Sequence, residues 1–541
     1  MAKETAVGNG AAGTAAKASG LVLLTLASGQ FLMTLDSSVM NVSIAQVAED
    51  VGTTVTGVQT AITLYTLVMA TLMILGGKLG SILGRRRAFA LGCVIYGAGS
   101  LTTALAPNLP VLIIGWSGLE GIGAALIMPA IVALVAGNFA AAERPRAYGL
   151  IAAAGAMAVA AGPLIGGAVT TYASWRYVFA GEVVVVIIIL IVARRIADAP
   201  VEARPRLDLI GALLAAAGLG ATVYGLLKTS VWGWIQPRPD GPDILGLSPS
   251  ICLIAVGLGI VWVFFLWQHH LEGRGKEPLL SPSLLENRQL SGGLVSFFFQ
   301  YVLQAGVFFL VPLFLSVVLE LTALQTGVRL LPLSLALLVT AAGVPRLFPK
   351  ASPRLVVRVG LLAMLLGIVV LMTGIDLDAT AAIVAVPMLL IGAGIGALAS
   401  QLGSVTVSAV PDKRSPEVGG LQNTVTNLGA SVGTAVAGSI LILILTSAFI
   451  QGIQQNPDVP DGVKQQASVE LAGGIPFISN SDLETAMADA GASGEVTQAV
   501  LDANAQGRVA GLKTALAVLT IVGVVALFTT RRIPRAPVGA P

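Results

Sequence analysis

Apolar segments of about twenty or more residues recur along this 541-residue chain. A helix rises about 1.5 Å per residue, so each segment matches a hydrocarbon core about 30 Å thick. In lipid, backbone amides and carbonyls must find partners within the protein, which leaves helices and closed barrels. These segments are continuously apolar rather than alternating, so they read as helices. Only 11% of the residues are charged, against about 25% in a soluble globular domain. Too little polar surface is available to cover a water-soluble object of this size.

The predicted spans are 20–44, 56–78, 88–107, 109–136, 146–170, 177–194, 208–228, 248–268, 291–317, 324–345, 356–374, 381–408, 419–450 and 509–529. Charge asymmetry orients them. With the N-terminus in the cytoplasm, the inner loops hold most of the Lys and Arg, including Lys78, Arg85–Arg87, Arg144, Arg146, Arg274, Arg346, Arg354 and Arg531. The outer loops are short or acidic, with Glu49 and Asp50, Glu320, and Asp376 and Asp378. Both termini are therefore expected in the cytoplasm. The longest outer segment, 451–508, carries Asp458, Asp461, Glu470, Asp482, Glu484, Asp489, Glu495 and Asp502 against Lys464 and Arg508. It reads as a lid or a plain linker, with Ser481 and Glu484 as a capping box and 495–508 running as helix into the last span.

The expected organisation is a disordered N-terminus (1–19), a six-helix half (20–200), two inserted helices (201–275) and a second six-helix half with the outer segment (276–541). Spans 5 and 13 are both glycine-rich at spacings near four, which suits close helix packing and suggests repeated halves. A six-plus-six repeat with a pathway between the halves is a transporter plan. Cys93 and Cys252 lie far apart in apolar segments and read as small hydrophobes. No phosphate-cradling GxxxxGK[ST] loop, catalytic triad or metal-ligand set is visible, so an enzyme and an ATP-driven pump are both disfavoured.

Several motifs carry a family resemblance. Between spans 2 and 3 stand Gly77, Leu79, Gly84, Arg85, Arg86 and Arg87, whose arginines suit anionic headgroups and helix C-terminal carbonyls. This resembles the loop signature of the major facilitator superfamily, with Ser81 where that signature has an acid. Asp36, Ser38, Asn41 and Val42 in span 1 look like the motif of its fourteen-span drug:proton antiporter branch. Gly155, Gly162, Pro163, Gly166 and Gly167 in span 5 are similar to the antiporter motif, in which Pro and small residues shape a tightly packed gating helix. Trp175-Arg176, Trp232-Gly233-Trp234 and Gly327 to Pro332 also fit that branch. Span 4 departs from it: Ser117 and Glu120 stand where the family has Arg and Gln, and Glu182 replaces a usual Asn at the start of span 6. The relay roles of the family's arginine and loop acid are therefore not carried over.

The resemblance implies an all-α major facilitator fold of fourteen transmembrane helices in a 6+2+6 order. It also implies alternating-access export of small amphiphilic compounds in exchange for protons, in the inner membrane, with no cofactor beyond the proton motive force. A monomer is expected, with a small-molecule substrate, the bilayer and protons as partners and no nucleic acid. The rival readings are an exporter of an endogenous lipid or secondary metabolite, and a non-transporting membrane sensor.

Charges inside spans cost about 2.5–3.5 kcal/mol each on insertion scales, so each suggests a function. Asp36 and Glu120 lead as coupling sites, against structural hydrogen-bonding roles. Glu182 is third and is expected nearer the outer surface. Arg329 either balances an intramembrane acid or snorkels outward. Gln422, Asn423 and Asn427 line a cavity or bond neighbouring helices, and His269 and His270 read as interfacial.

Overall fold

The protein is described by a computed structural model covering residues 2–53, 55–196, 207–238, 241–411, 414–456, 459, 464, 479–489 and 494–536. Every predicted span falls on a long helix. The segment expected as the first half holds α1 (Ala2–Val42), α2 (Val55–Leu83), α3 (Arg85–Ala104), α4 (Gly121–Asn138), α5 (Arg144–Tyr172) and α6 (Arg176–Ala193). The pair expected as an insertion is α7 (Leu209–Trp232) and α8 (Pro249–Gly273). The segment expected as the second half holds α9 (Arg288–Leu313), α10 (Ala323–Leu347), α11 (Pro353–Gly374), α12 (Ala385–Val407), α13 (Ser415–Gln455) and α14 (Gly494–Thr529). Among the described residues, extended pairing is limited to one isolated bridge, Ile244 with Leu247.

Twelve helical segments among the described residues are long and apolar enough to cross a membrane. Of the two long helices outside that set, α3 opens on three arginines and carries Ser100, Thr102 and Thr103, and α5 holds side chains that lie outside the described residues. The chain is a multi-pass membrane protein.

Local sequence explains several boundaries. The segment expected to be disordered is instead helical from Ala2, because its alanines are strong helix formers; the side chains of residues 2–19 lie outside the described set. Gly84 ends the loop between α2 and α3 at φ +94°, where a side chain would be strained. In the outer segment a helix runs from Asn480 to Asp489. Its cap differs from the expected one: Asp482 N donates to Ser479 Oγ at 3.0 Å, so Ser479 caps and Ser481 lies inside the helix. The predicted helix entering the last span is present as the first part of α14. Most of 457–478 lies outside the described residues.

Two large cores are buried: one joins Phe89, Tyr96 and Ile131 to Phe264, Leu294 and Leu421, and the other gathers Leu303, Leu361, Ile395 and Leu516. The halves meet through α2 against α13 and α5 against α10. Gly77 faces Gly420 so closely that a Cβ on Gly77 would lie 3.1 Å from the Gly420 Cα. At the other seam a Cβ on Gly149 would lie 2.6 Å from the Ala341 carbonyl oxygen. Both meetings occur at helix ends that the charge pattern assigns to the cytoplasm. α7 packs on α8 and touches α2 and α13, one helix from each half. Beside that junction lies an apolar cavity of about 350 Å³, bordered by Ile74, Leu219, Phe264, Leu294, Phe298 and Thr424.

Candidate functional site

Asp36, Glu120 and Glu182 converge from α1, the helical turn before α4, and α6. Their carboxylate oxygens lie within 4.8 Å of one another, and all three side chains are buried. Nothing in the linear sequence groups them. Glu182, expected nearer the outer surface with either an interfacial charge or a cavity role, is buried with the other two at 2% exposure. Its place on the inward face of α6, with Val178, Phe179 and Val186, accounts for this.

The local chain is shaped for the cluster. Ile113–Glu120 forms a π-helical turn, a widened geometry common at functional sites. It brings Trp116 and Glu120 to the same face. Gly99 on α3 leaves the space Glu120 needs, since a Cβ there would lie 2.6 Å from Glu120 Cγ.

Each carboxylate has one donor. Trp116 Nε1 donates to Asp36 Oδ1 at 2.6 Å, Thr103 Oγ1 to Glu120 Oε1 at 2.9 Å, and Ser100 Oγ to Glu182 Oε2 at 3.1 Å. Tyr65 stacks parallel on Trp116 with ring centroids 5.0 Å apart, fixing the indole. Hydrogen bonds to charged groups contribute about 1.5–3 kcal/mol each. Among the described residues, one donor per carboxylate leaves Asp36 Oδ2, Glu120 Oε2 and Glu182 Oε1 buried and without a hydrogen-bond partner. None of the three acids forms an ion pair among the described residues. Such a cluster can exchange protons or cations for a bound cationic compound, because its charge demands a positive partner.

Sequence reasoning missed the donors. Tyr96, Ser100 and Thr103 sit at helical spacing on α3, and Trp116 is one turn before Glu120. A polar stripe on α3 was the available signal. Ser117, at the family's arginine position, donates to the Ala61 carbonyl at 2.7 Å and so ties this turn to α2.

The remaining candidates serve packing and closure. A Cβ on Gly162 would strike Ser38 Oγ, and one on Gly166 would lie 3.1 Å from Val39 Cγ1, so the antiporter motif seats α5 against α1. Gly155 faces Gln30 and Thr34 on the same helix. Gly167 is partly buried, and the side chains of Asn41 and Pro163 lie outside the described set. Arg85 Nη1 donates to the Ala133 carbonyl at 3.2 Å, and Arg86 Nη1 to those of Arg194 and Ile196 at 3.3 Å. Arg86 thus meets carbonyls at the C-terminal end of α6, and Arg85 one inside α4; Arg87 is exposed and Leu79 partly buried. Arg329 is exposed on α10 and does not join the acids. Gln422 Oε1 accepts from Thr406 Oγ1 at 3.1 Å across two helices. Asn423 and Asn427 donate to carbonyls of their own helix, Gly419 and Asn423, at 2.9 and 2.8 Å.

The model of the Major Facilitator Superfamily matches residues 26–434. The puromycin resistance protein pur8 of Streptomyces alboniger is 30% identical over 77% of this chain and 81% of its own length. The tetracenomycin C resistance and export protein of Streptomyces glaucescens is 26% identical over 95% of this chain and 93% of its own. The multidrug resistance protein Stp of Mycobacterium tuberculosis (strain H37Rv) is 26% identical over 83% and 81%. Among solved structures, the human organic anion transporter MFSD10 (TETRAN) aligns with a TM-score of 0.58 at 13% identity, covering 95% of this chain and 99% of its own. The proton:xylose symporter XylE aligns with a TM-score of 0.54 at 14% identity, covering 95% of each chain. The chain therefore belongs to the Major Facilitator Superfamily and is one of its multi-pass transporters.

Proposed function

We propose that this protein is a secondary exporter of small amphiphilic compounds, driven by proton antiport across the cell membrane. The observation that carries the reading is the three-carboxylate cluster, held inside one half by a π turn and left short of donors. Buried carboxylates that lack a fixed cation exchange one positive partner for another, and that competition couples substrate to protons. The export direction draws on the relatives named for resistance and export. The apolar cavity beside α7 offers amphiphiles a route from the inner leaflet. Fourteen crossings in a 6+2+6 order, cytoplasmic termini and a monomeric state complete the proposal.

Transport by purified protein in proteoliposomes with an imposed pH gradient tests it. Gradient-dependent movement of an amphiphilic cation, lost in Asp36→Asn and Glu120→Gln, is expected. Full coupled transport in both variants overturns the assignment of these residues. A second reading, export of an endogenous lipid or secondary metabolite, shares the apolar cavity, and gradient-dependent lipid movement without drug movement would favour it.

A further inference from the structure

We propose that Asp36, Glu120 and Glu182 form a binding site for a hard cation of calcium size, which competes with protons for the same oxygens. Three observations meet here. The first is spacing: one oxygen from each carboxylate lies within 4.8 Å of the others, a separation that one ion at about 2.4 Å can bridge, and three carboxylates in a dry cage suit calcium, whereas magnesium keeps several waters. The second is vacancy in the hydrogen-bond sense: each carboxylate keeps one buried oxygen with no partner. The third is the Tyr96 hydroxyl on α3, fully buried, unpartnered among the described residues and turned toward Asp36. Every donor is an oxygen, which selects hard cations over zinc or copper.

Among the described residues, the surroundings supply no other counter-charge. α2 contributes Tyr65, α3 contributes Tyr96, Ser100 and Thr103, and the π turn contributes Trp116; none is a cation. Three carboxylates in one dry site keep their protons unless a positive partner replaces them, since each unpaired buried charge costs several kcal/mol. A divalent ion meets most of that charge in one binding event and is displaced as protons arrive.

The inference shares its residues with the proposed coupling, yet its test needs no transport. Full-length protein in detergent is titrated with calcium by equilibrium dialysis, and with terbium followed by luminescence excited through tryptophan. Saturable binding of one ion per chain is expected, weakened at least about tenfold by each of Asp36→Asn, Glu120→Gln and Glu182→Gln, and weakened again as the pH falls. Trp116→Phe should dim the terbium luminescence per ion bound, which places the ion beside that indole. Tyr96→Phe, which removes a hydroxyl and no charge, should lower affinity without unfolding the protein. Absence of saturable binding at millimolar calcium overturns the proposal, and so does binding that survives all three acid substitutions, since that locates the ion on the acidic 451–508 segment. Either failure leaves proton antiport untouched, because gradient-driven transport is read separately.

Discussion

Lys78 Nζ lies 3.8 Å from Glu417 Oε1 and donates to the Pro278 carbonyl at 3.0 Å, joining the first half, the second half and the segment after the inserted pair. The Lys78 side chain is 4% exposed and that of Glu417 13%. Arg414 shares the same carboxylate through Oε2 at 3.1 Å. The loop signature has lost its acid at Ser81, and the cross-half ion pair here uses the signature's neighbouring lysine instead.

Opening this latch should expose the cytoplasmic seam. In a background lacking Cys93 and Cys252, Gly80→Cys places a thiol against Pro416, at an ordinary contact distance of 3.5 Å between Cβ atoms. Glu417→Lys should raise its labelling from the cytoplasmic side severalfold, and Lys78→Glu combined with Glu417→Lys should restore protection. Breaking a largely buried pair costs about 3–5 kcal/mol, ample to shift a two-state seam.

Trp116→Phe should keep the stack on Tyr65 and remove the donor to Asp36. Leaving that oxygen unsatisfied costs about 1–3 kcal/mol, read as a lower melting temperature in detergent. Gradient-driven transport should fall along with it, whereas Trp116→Phe should not alter labelling at the Gly80 position.

Gly162→Ala should be strongly destabilising, because the new methyl would strike Ser38 Oγ. Overpacking of this kind costs about 1–3 kcal/mol or more. Ser38→Gly in the same chain should relieve it. Recovery of folded yield and transport in the double variant, measured by size-exclusion chromatography and proteoliposome assay, is the check.

Leu219→Trp should fill much of the apolar cavity between α7 and its neighbours. Transport of lipophilic compounds should drop severalfold while folded yield is unchanged. Undiminished transport would remove the cavity from the substrate route.

Much of this protein follows from residue order alone. Continuous apolar runs bounded by charge place the helices, because lipid tolerates no unpaired backbone. The glycines of span 5 announce a close helix contact, and the arginine cluster announces capped helix ends, since both are local properties of spacing and chemistry. Asp36 and Glu120 stand out singly because isolated acids are costly in lipid. What residue order cannot express is that Glu182 shares their site, for its depth depends on how α6 rotates against α1 and α3. The donors Trp116, Thr103 and Ser100 are equally ordinary in sequence. Only the tertiary structure, in which a widened helical turn meets Gly99, makes them partners of one buried cluster. Span boundaries are set by hydrophobic transfer, which sums along the chain, whereas the cluster is set by packing between helices far apart in sequence.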